Sequence, residues 1–217
     1  MWSKLKEQFN LLKLEKKRLY LITNSDNFNS KDEFLDAIAS TLQGGVDIIQ
    51  LREKNVPDSV IVDLGLKIRI LCDEFGATFI INDRLDIAQI VEADGVHLGQ
   101  NDISIQDARA VLGANAIIGK TVFSREDITK AIEDGADYLS LGPVAPEKSK
   151  LQNAVNMELV YMANKDSKVP VFQFGIMDKD CISELTYNGA KRIIVSDELM
   201  CAKSPEQAAR KVLSYLP

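Results

Sequence analysis

Histidine is almost absent from this chain: His97 is the only one in 217 residues. The lack of a second imidazole and of any evident Ser/His or Cys/His pairing argues against nucleophilic triad chemistry, and the reaction should not require a strong general base. Cysteine is scarce as well. Cys72, Cys181 and Cys201 are scattered, with no C-x-x-C and no metal-ligand spacing, so the sequence carries neither a disulfide framework nor a thiolate metal site. Reduced thiols in the cytoplasm are the expectation. Positive charge is in deficit, 26 Lys and Arg against 32 Asp and Glu, a net charge of −6. That balance argues against a general nucleic-acid binder, which needs a basic surface, though not against one anionic ligand in a locally basic cleft. No apolar run approaches the ~20 residues of a membrane span, and the N-terminus lacks a signal-peptide core. Linkers, low-complexity tracts and a Gly-rich dinucleotide turn are also missing.

What is present is an alternation of short β-rich runs with amphipathic helical segments. Strands are expected at Leu19–Thr23, Val46–Leu51, Thr78–Ile81, Gly95–Leu98, Ala116–Gly119, Asp137–Leu141, Val169–Phe174 and Lys191–Val195. Between them the spacing predicts helices from about Ser30 to Gln43, over Asp58–Phe75 and through Ile87–Val91. Ser104 and Ser124 should cap two further helices, the second running to Asp134, and Ser204-Pro205 should open the last. Eight strand–helix units in a chain of this length indicate an α/β fold, a (β/α)₈ TIM barrel, over residues 18–217. A doubly wound sheet is the rival architecture. Residues 1–17 read as an extra amphipathic helix with Leu5, Phe9, Leu12 and Trp2 on one stripe; it could cover the barrel bottom, contact a second subunit or stay loose. A recurring step, Gly44-Gly45-Val46-Asp47, Ala93-Asp94-Gly95, Gly135-Ala136-Asp137 and Gly189-Ala190-Lys191, marks helix ends feeding strands.

Barrel active sites are built from the loops after the strands, and three strand ends here carry chemistry. Gln50, Arg52 and Lys54 alternate at the end of the second strand, so they face one side. Asp83 follows the third strand in Ile81-Asn82-Asp83-Arg84, and Asp102 follows the fourth in Val96-His97-Leu98-Gly99-Gln100-Asn101-Asp102. Carboxylates beside Lys and Arg at successive strand ends suggest a Mg²⁺-bound polyphosphate, with hard oxygen ligands for the metal and cations for the anion. Each element has a plainer reading. Arg52 could pair with Glu53 or a neighbouring Asp, Asp83 could cap a helix, and Asp102 could simply precede a helix N-terminus. His97 reads as a packed residue beneath the site rather than a proton shuttle. After the sixth strand, the turn-rich stretch from Leu141 to Lys150 offers Lys148 and Lys150 to a phosphate, or only to solvent.

From Leu19 onward the chain resembles the thiamine phosphate synthase family. The string Gln50-Leu51-Arg52-Glu53-Lys54, the run Ile81–Arg84 and the stretch Asp94–Asp102, in this order and spacing, carry the resemblance. It implies a transferase that joins 4-amino-2-methyl-5-(diphosphooxymethyl)pyrimidine to 4-methyl-5-(2-phosphooxyethyl)thiazole, giving thiamine phosphate and pyrophosphate with Mg²⁺ as cofactor. By position, the resemblance implies that Gln50, Arg52, Lys54 and Asn82 bind the pyrimidine diphosphate and that Asp83 and Asp102 ligate Mg²⁺. Thr121 stands where the family has Ser, and Lys150 matches the lysine on the diphosphate. The family reaction is dissociative, with Arg52, Lys54 and Lys150 stabilising the departing pyrophosphate. Ser149, Gly175 and Ser196 would serve the second substrate. Small-molecule substrates are the only partners implied, with self-association left open.

The departures from the family pattern gather in the thiazole half. Glu147 and Ser149 replace two threonines after the sixth strand, Gly175-Ile176 replaces a Gly-Gly pair, and Asp197 aligns with an expected Ser unless a one-residue slip restores Ser196; Phe123 replaces a common His. Barrel phosphate sites use glycine N–H groups and a helix N-terminus after strands seven and eight. A carboxylate there would repel a phosphate by about 1–4 kcal/mol per short contact. The rival readings are a thiazole tautomerase-like relative and a non-catalytic binder of the pyrimidine diphosphate.

Overall fold

The computed structural model describes residues 13–145 and 154–217. Eight parallel strands close on themselves in chain order, β1 to β8, with β1 paired to both β2 and β8. The strands are β1 Leu19–Ile22, β2 Ile48–Leu51, β3 Thr78–Asn82, β4 Gly95–Leu98, β5 Ile117–Val122, β6 Tyr138–Val144, β7 Val171–Gly175 and β8 Ile193–Val195. The helices are α1 Lys31–Gln43, α2 Asp58–Phe75, α3 Leu85–Ile90, α4 Ile105–Leu112, α5 Arg125–Glu133, α6 Met157–Asp166, α7 Lys179–Tyr187, the short α8 Asp197–Met200 and α9 Pro205–Leu213. This is the (β/α)₈ barrel expected, not a doubly wound sheet. β4 has the bounds expected, and the ends of the other strands moved by at most three residues. β6 runs on to Val144 with a register shift against β7, and α6, α7 and α8 were not delimited by periodicity.

The helices begin where the sequence says they should. Ser30, Ser104, Ser124 and Ser204 each accept the backbone N–H three residues on, with their side-chain oxygen, satisfying one of the donors a helix start leaves open. Each strand then alternates between two cores. Outward-facing Leu19, Ile49, Phe79, Val96, Ile118, Leu139, Val171 and Ile193 meet the helices. Inward-facing Tyr20, Ile48, Ile80, Ile117, Tyr138, Phe172 and Ile194 fill the barrel, joined from below by Leu14. Burying such side chains contributes roughly 1.5–3 kcal/mol each.

The recurring Gly-Ala-Asp step has a second task. Asp47 accepts the N–H groups of Arg18 and Leu19, Asp94 that of Phe79, and Asp137 that of Ile118. Each carboxylate thus closes the N-terminal edge of the preceding strand. Below the barrel, Lys13 pairs with Asp94, Lys17 donates to the Gly76 carbonyl, and Arg192 donates to the Glu15 carbonyl. Residues 13–17 therefore seal the bottom; the rest of the expected 1–17 helix lies outside the described residues. Function is left to the opposite, C-terminal mouth.

Candidate active site

Above the apolar filling, the inward positions turn polar. Gln50 of β2 registers with Ile80, Asn82 of β3 with His97 of β4, and Thr121 of β5 with Ser140 of β6. Gln50, Asn82, His97, Thr121 and Ser140, with Ile22, Arg52, Lys54, Asp83, Gly99, Asp102 and Phe174, line a cavity of about 270 Å³ at the mouth. A groove of about 300 Å³ between α4 and α5 shares Asp102 and Thr121 with it. That groove runs down the flank and lacks the convergent strand ends, so the mouth cavity is the candidate site.

The three strand ends converge as their spacing implies. Lys54 donates to Asp83, and Asn82 Nδ2 donates to Asp83 Oδ1 at 2.7 Å. Asp102 stands within hydrogen-bonding reach of Asp83; burial first, then that neighbour, raises its carboxyl above the usual range. Two carboxylates this close repel unless a proton or a cation lies between them. Asn82 Oδ1, buried and without a partner, adds a third hard oxygen nearby. Among the described residues no group of three or more His, Cys, Asp and Glu could hold a metal. Mg²⁺ does not need one, because it is bound through one or two carboxylates plus substrate phosphates and waters. The donor set therefore fits it.

Asp102 does precede the start of α4, but the plainer readings of Arg52 and Asp83 are not what the structure shows. Glu53 takes a hydrogen bond from the Ser25 hydroxyl, and burial raises its carboxyl while that bond works against the rise. No carboxylate pairs with the Arg52 guanidinium among the described residues; its backbone N–H donates to Thr23. The residue preceding α3 is Arg84, and Asp83 makes no capping bond. Asp83 instead adopts a left-handed φ of 60°, a backbone conformation costly for a non-glycine residue and concentrated at functional sites. His97 lies beneath the cavity, Nδ1 3.0 Å from the Tyr138 hydroxyl and Nε2 2.8 Å from Thr121 Oγ1. Burial pushes its imidazole down to about 4, so it is neutral near pH 7, as a packed residue would be.

Lys120 went unnoticed in the sequence. Its Nζ donates to the Gly99 carbonyl at 2.6 Å, while the Gly99 N–H donates to Asp102 Oδ2 at 2.6 Å. It thereby fixes the turn that presents Asp102. Tyr20, Tyr138 and Ser140 were also missed, because inward-facing aromatic residues in strands read as core; inward parity with Gln50 and His97 was the available signal.

Of the residues expected to serve the second substrate, only some fall among the described ones. Lys148, Ser149 and Lys150, with Glu147, lie outside the described residues. Gly175 has a φ of 146°, and a Cβ there would meet the Val144 carbonyl oxygen at 2.0 Å, so glycine is required. Its successor Ile176 is exposed and spends its N–H on the Val144 carbonyl. Ser196 caps β8 by donating from Oγ to the Ile22 carbonyl at 2.7 Å, and its N–H donates to the Glu198 carboxylate at 3.0 Å. Asp197 is exposed at the start of α8 and receives the Asn24 amide.

A family model described as thiamine monophosphate synthase matches residues 19–199. A thiamine-phosphate synthase of Nostoc sp. is 38% identical over 204 residues, covering 94% of this chain and 57% of that protein. The chain thus spans little more than half the length of such cyanobacterial relatives. One from Dictyoglomus turgidum is 36% identical, covering 97% of this chain and 94% of the relative. Among solved structures, a thiamine phosphate pyrophosphorylase from Pyrococcus furiosus superposes with a TM-score of 0.81 at 31% identity, over 97% of this chain and 96% of its own. A 3-hexulose-6-phosphate synthase, at 17% identity and a TM-score of 0.64, shares the fold alone. With the matched span covering every strand from β1 to β8, this chain belongs to the thiamine monophosphate synthase family.

Proposed function

We propose that the chain is a thiamine phosphate synthase, joining 4-amino-2-methyl-5-(diphosphooxymethyl)pyrimidine to 4-methyl-5-(2-phosphooxyethyl)thiazole. The observation that carries this reading is the convergence of Lys54, Asp83 and Asp102 with an Arg52 that no carboxylate among the described residues neutralises, in one cavity at the barrel mouth. A diphosphate suits such a site, since its negative charge gives Arg52 a partner and adds a second one for Lys54 beside Asp83.

Asp83 and Asp102 would hold Mg²⁺, with Asn82 beside them. When bound, the ion would neutralise charge building on the leaving pyrophosphate. Arg52 and Lys54, with Lys150 further along the sequence, hold the diphosphate and stabilise it as the C–O bond breaks and the electron pair departs with pyrophosphate. Gln50 and Thr121 fix the pyrimidine. The thiazole nitrogen lone pair then forms the new C–N bond to the pyrimidine-stabilised cation. No side chain has to remove a proton, which accords with a neutral, buried His97 as the only histidine. The free cysteines suit a reducing cytoplasmic setting, and no described helix is long and apolar enough to cross a membrane.

The reading is tested by incubating the protein with both substrates and Mg²⁺ and following thiamine phosphate and pyrophosphate together. Stoichiometric release of both is expected. Absence of the coupled product at saturating thiazole phosphate, with Mg²⁺-dependent binding of the pyrimidine diphosphate retained, would transfer the chain to the non-catalytic binders. The acceptor side has its own expectation. Asp197 and Glu198 bring negative charge to the α8 start, so Asp197→Ser should lower the KM for the phosphorylated thiazole by about tenfold. An unchanged KM would remove that carboxylate from the acceptor site.

A further inference from the structure

Five polar side chains run in unbroken contact through the barrel beneath the cavity. Gln50 Nε2 lies 2.6 Å from the Tyr20 hydroxyl, which lies 2.8 Å from the Tyr138 hydroxyl. Tyr138 reaches His97 Nδ1 at 3.0 Å, and His97 Nε2 reaches Thr121 Oγ1 at 2.8 Å. Both phenols are fully buried. The barrel makes room for this chain: a Cβ on Gly119 would lie 2.0 Å from Tyr138 Cζ and 2.4 Å from its hydroxyl. Apolar residues would fill the same space without needing four hydrogen bonds, so the row calls for an explanation beyond packing.

The proton order along the row is fixed from its first member. An amide NH₂ only donates, so Tyr20 accepts from Gln50. Among the described residues the Tyr20 proton has one acceptor in reach, the Tyr138 oxygen. The Tyr138 proton then goes to His97 Nδ1, leaving a neutral imidazole with its proton on Nε2, which donates to Thr121. At the two ends, both on the cavity wall, this leaves Gln50 Oε1 free to accept and the Thr121 hydroxyl free to donate.

We propose that this one-way relay sets the hydrogen-bond polarity of the cavity floor, with Tyr20 and Tyr138 as positioning residues that select a ligand bearing an amino donor over Gln50 and an acceptor over Thr121. Resting on the synthase reading above, the selected ligand is the aminopyrimidine rather than its 4-oxo counterpart. The oxo form would set a carbonyl against Gln50 Oε1, and an unpaired buried acceptor is strongly disfavoured. Reversing the Gln50 amide would invert every bond in the row, putting the His97 proton on Nδ1 and making the Thr121 hydroxyl a donor to the imidazole. The two polarities are therefore exclusive.

Because His97 is the only histidine, ¹⁵N-histidine labelling gives a single imidazole in the NMR spectrum, and its tautomer is readable without any ligand. The Nε2–H form is expected in the intact chain at pH 7.5, and the Nδ1–H form would overturn the relay. Tyr138→Phe keeps the ring and removes the central hydroxyl. Calorimetric titration with the aminopyrimidine diphosphate and its 4-oxo analogue, each with Mg²⁺, should show the preference for the amino form falling about tenfold in this variant, and likewise in Tyr20→Phe. An undiminished preference in both variants would overturn the positioning role. Nε2–H with no binding of either pyrimidine diphosphate would uphold the proton order and sink the functional reading instead.

Discussion

Arg52 and Lys54 stand two residues apart on one strand end, yet different surroundings hold them. Lys54 is tied to Asp83, whereas Arg52 has no carboxylate among the described residues and leans only on the backbone contact to Thr23. A cation left unpaired beside a cavity is available for an anion, and a guanidinium engages phosphate oxygens in pairs. Arg52→Ala should therefore weaken pyrimidine diphosphate binding by about 10- to 100-fold, measured by titration with Mg²⁺ present; Arg52→Lys should recover only part of the loss. A second residue-scale expectation concerns His97. Its folded-state value near 4 lies below the ordinary 6.5, so the unfolded chain binds more protons between those limits. Stability should be full above about pH 6.5 and fall as the pH drops toward 4, by up to about 3 kcal/mol from this group. Urea unfolding at pH 7.5 and 4.5, in the intact chain and in His97→Gln, measures it. An equal pH slope in both proteins would mean that the buried imidazole does not contribute.

At the scale of elements, period two made much of the site readable. The alternation of Gln50, Arg52 and Lys54 placed all three on the cavity side, and the serine caps located four helix starts within a residue. The Asp102 turn was less legible, since Lys120 reaches it from the outer face of β5 and no local pattern joins the two. Tyr20 and Tyr138 were hidden for another reason: an aromatic residue in a strand looks the same to a hydropathy pattern whether its hydroxyl is idle or bonded. The Gly-Ala-Asp steps were recognised as chain reversals, but their carboxylates' bonds to the adjacent strand depend on barrel closure, which sequence spacing does not express. Asp94 is the most heavily committed of them, bound by Lys13, Arg69 and the Phe79 N–H. Burial works to raise its carboxyl, but these partners outweigh it and hold it below the usual range. Asp94→Ala should destabilise the fold by about 2–3 kcal/mol, leaving Lys13 and the Phe79 N–H without their acceptor and the half-buried Arg69 with Asp73 alone. A midpoint shift in chemical unfolding reads this. No shift would mean that the barrel's lower edge is held by other groups.

For the whole molecule, the barrel divides labour between its ends. The bottom is closed by Leu14, the Asp94 cluster and the Arg192–Glu15 bond, and the mouth gathers side chains from β2 to β6 that are far apart in sequence. Closure in chain order is what turns strand-end residues 50–54, 82–83 and 102 into one site; in an open sheet, Thr121 and Ser140 would stand progressively farther from Gln50. Gln50, Arg52, Lys54, Asn82, Asp83, Asp102 and Thr121 meet at one cavity, while the α8 side presents carboxylates where a barrel usually offers free N–H groups to phosphate. The most direct measurement is the affinity for the pyrimidine diphosphate with and without Mg²⁺, in the intact chain and in Asp83→Ala and Asp102→Ala. Tight binding that needs Mg²⁺, with both substitutions erasing the metal's effect, is expected. Equal affinity with and without the ion, or variants that respond to it as the intact chain does, would contradict a shared metal–diphosphate site at the barrel mouth.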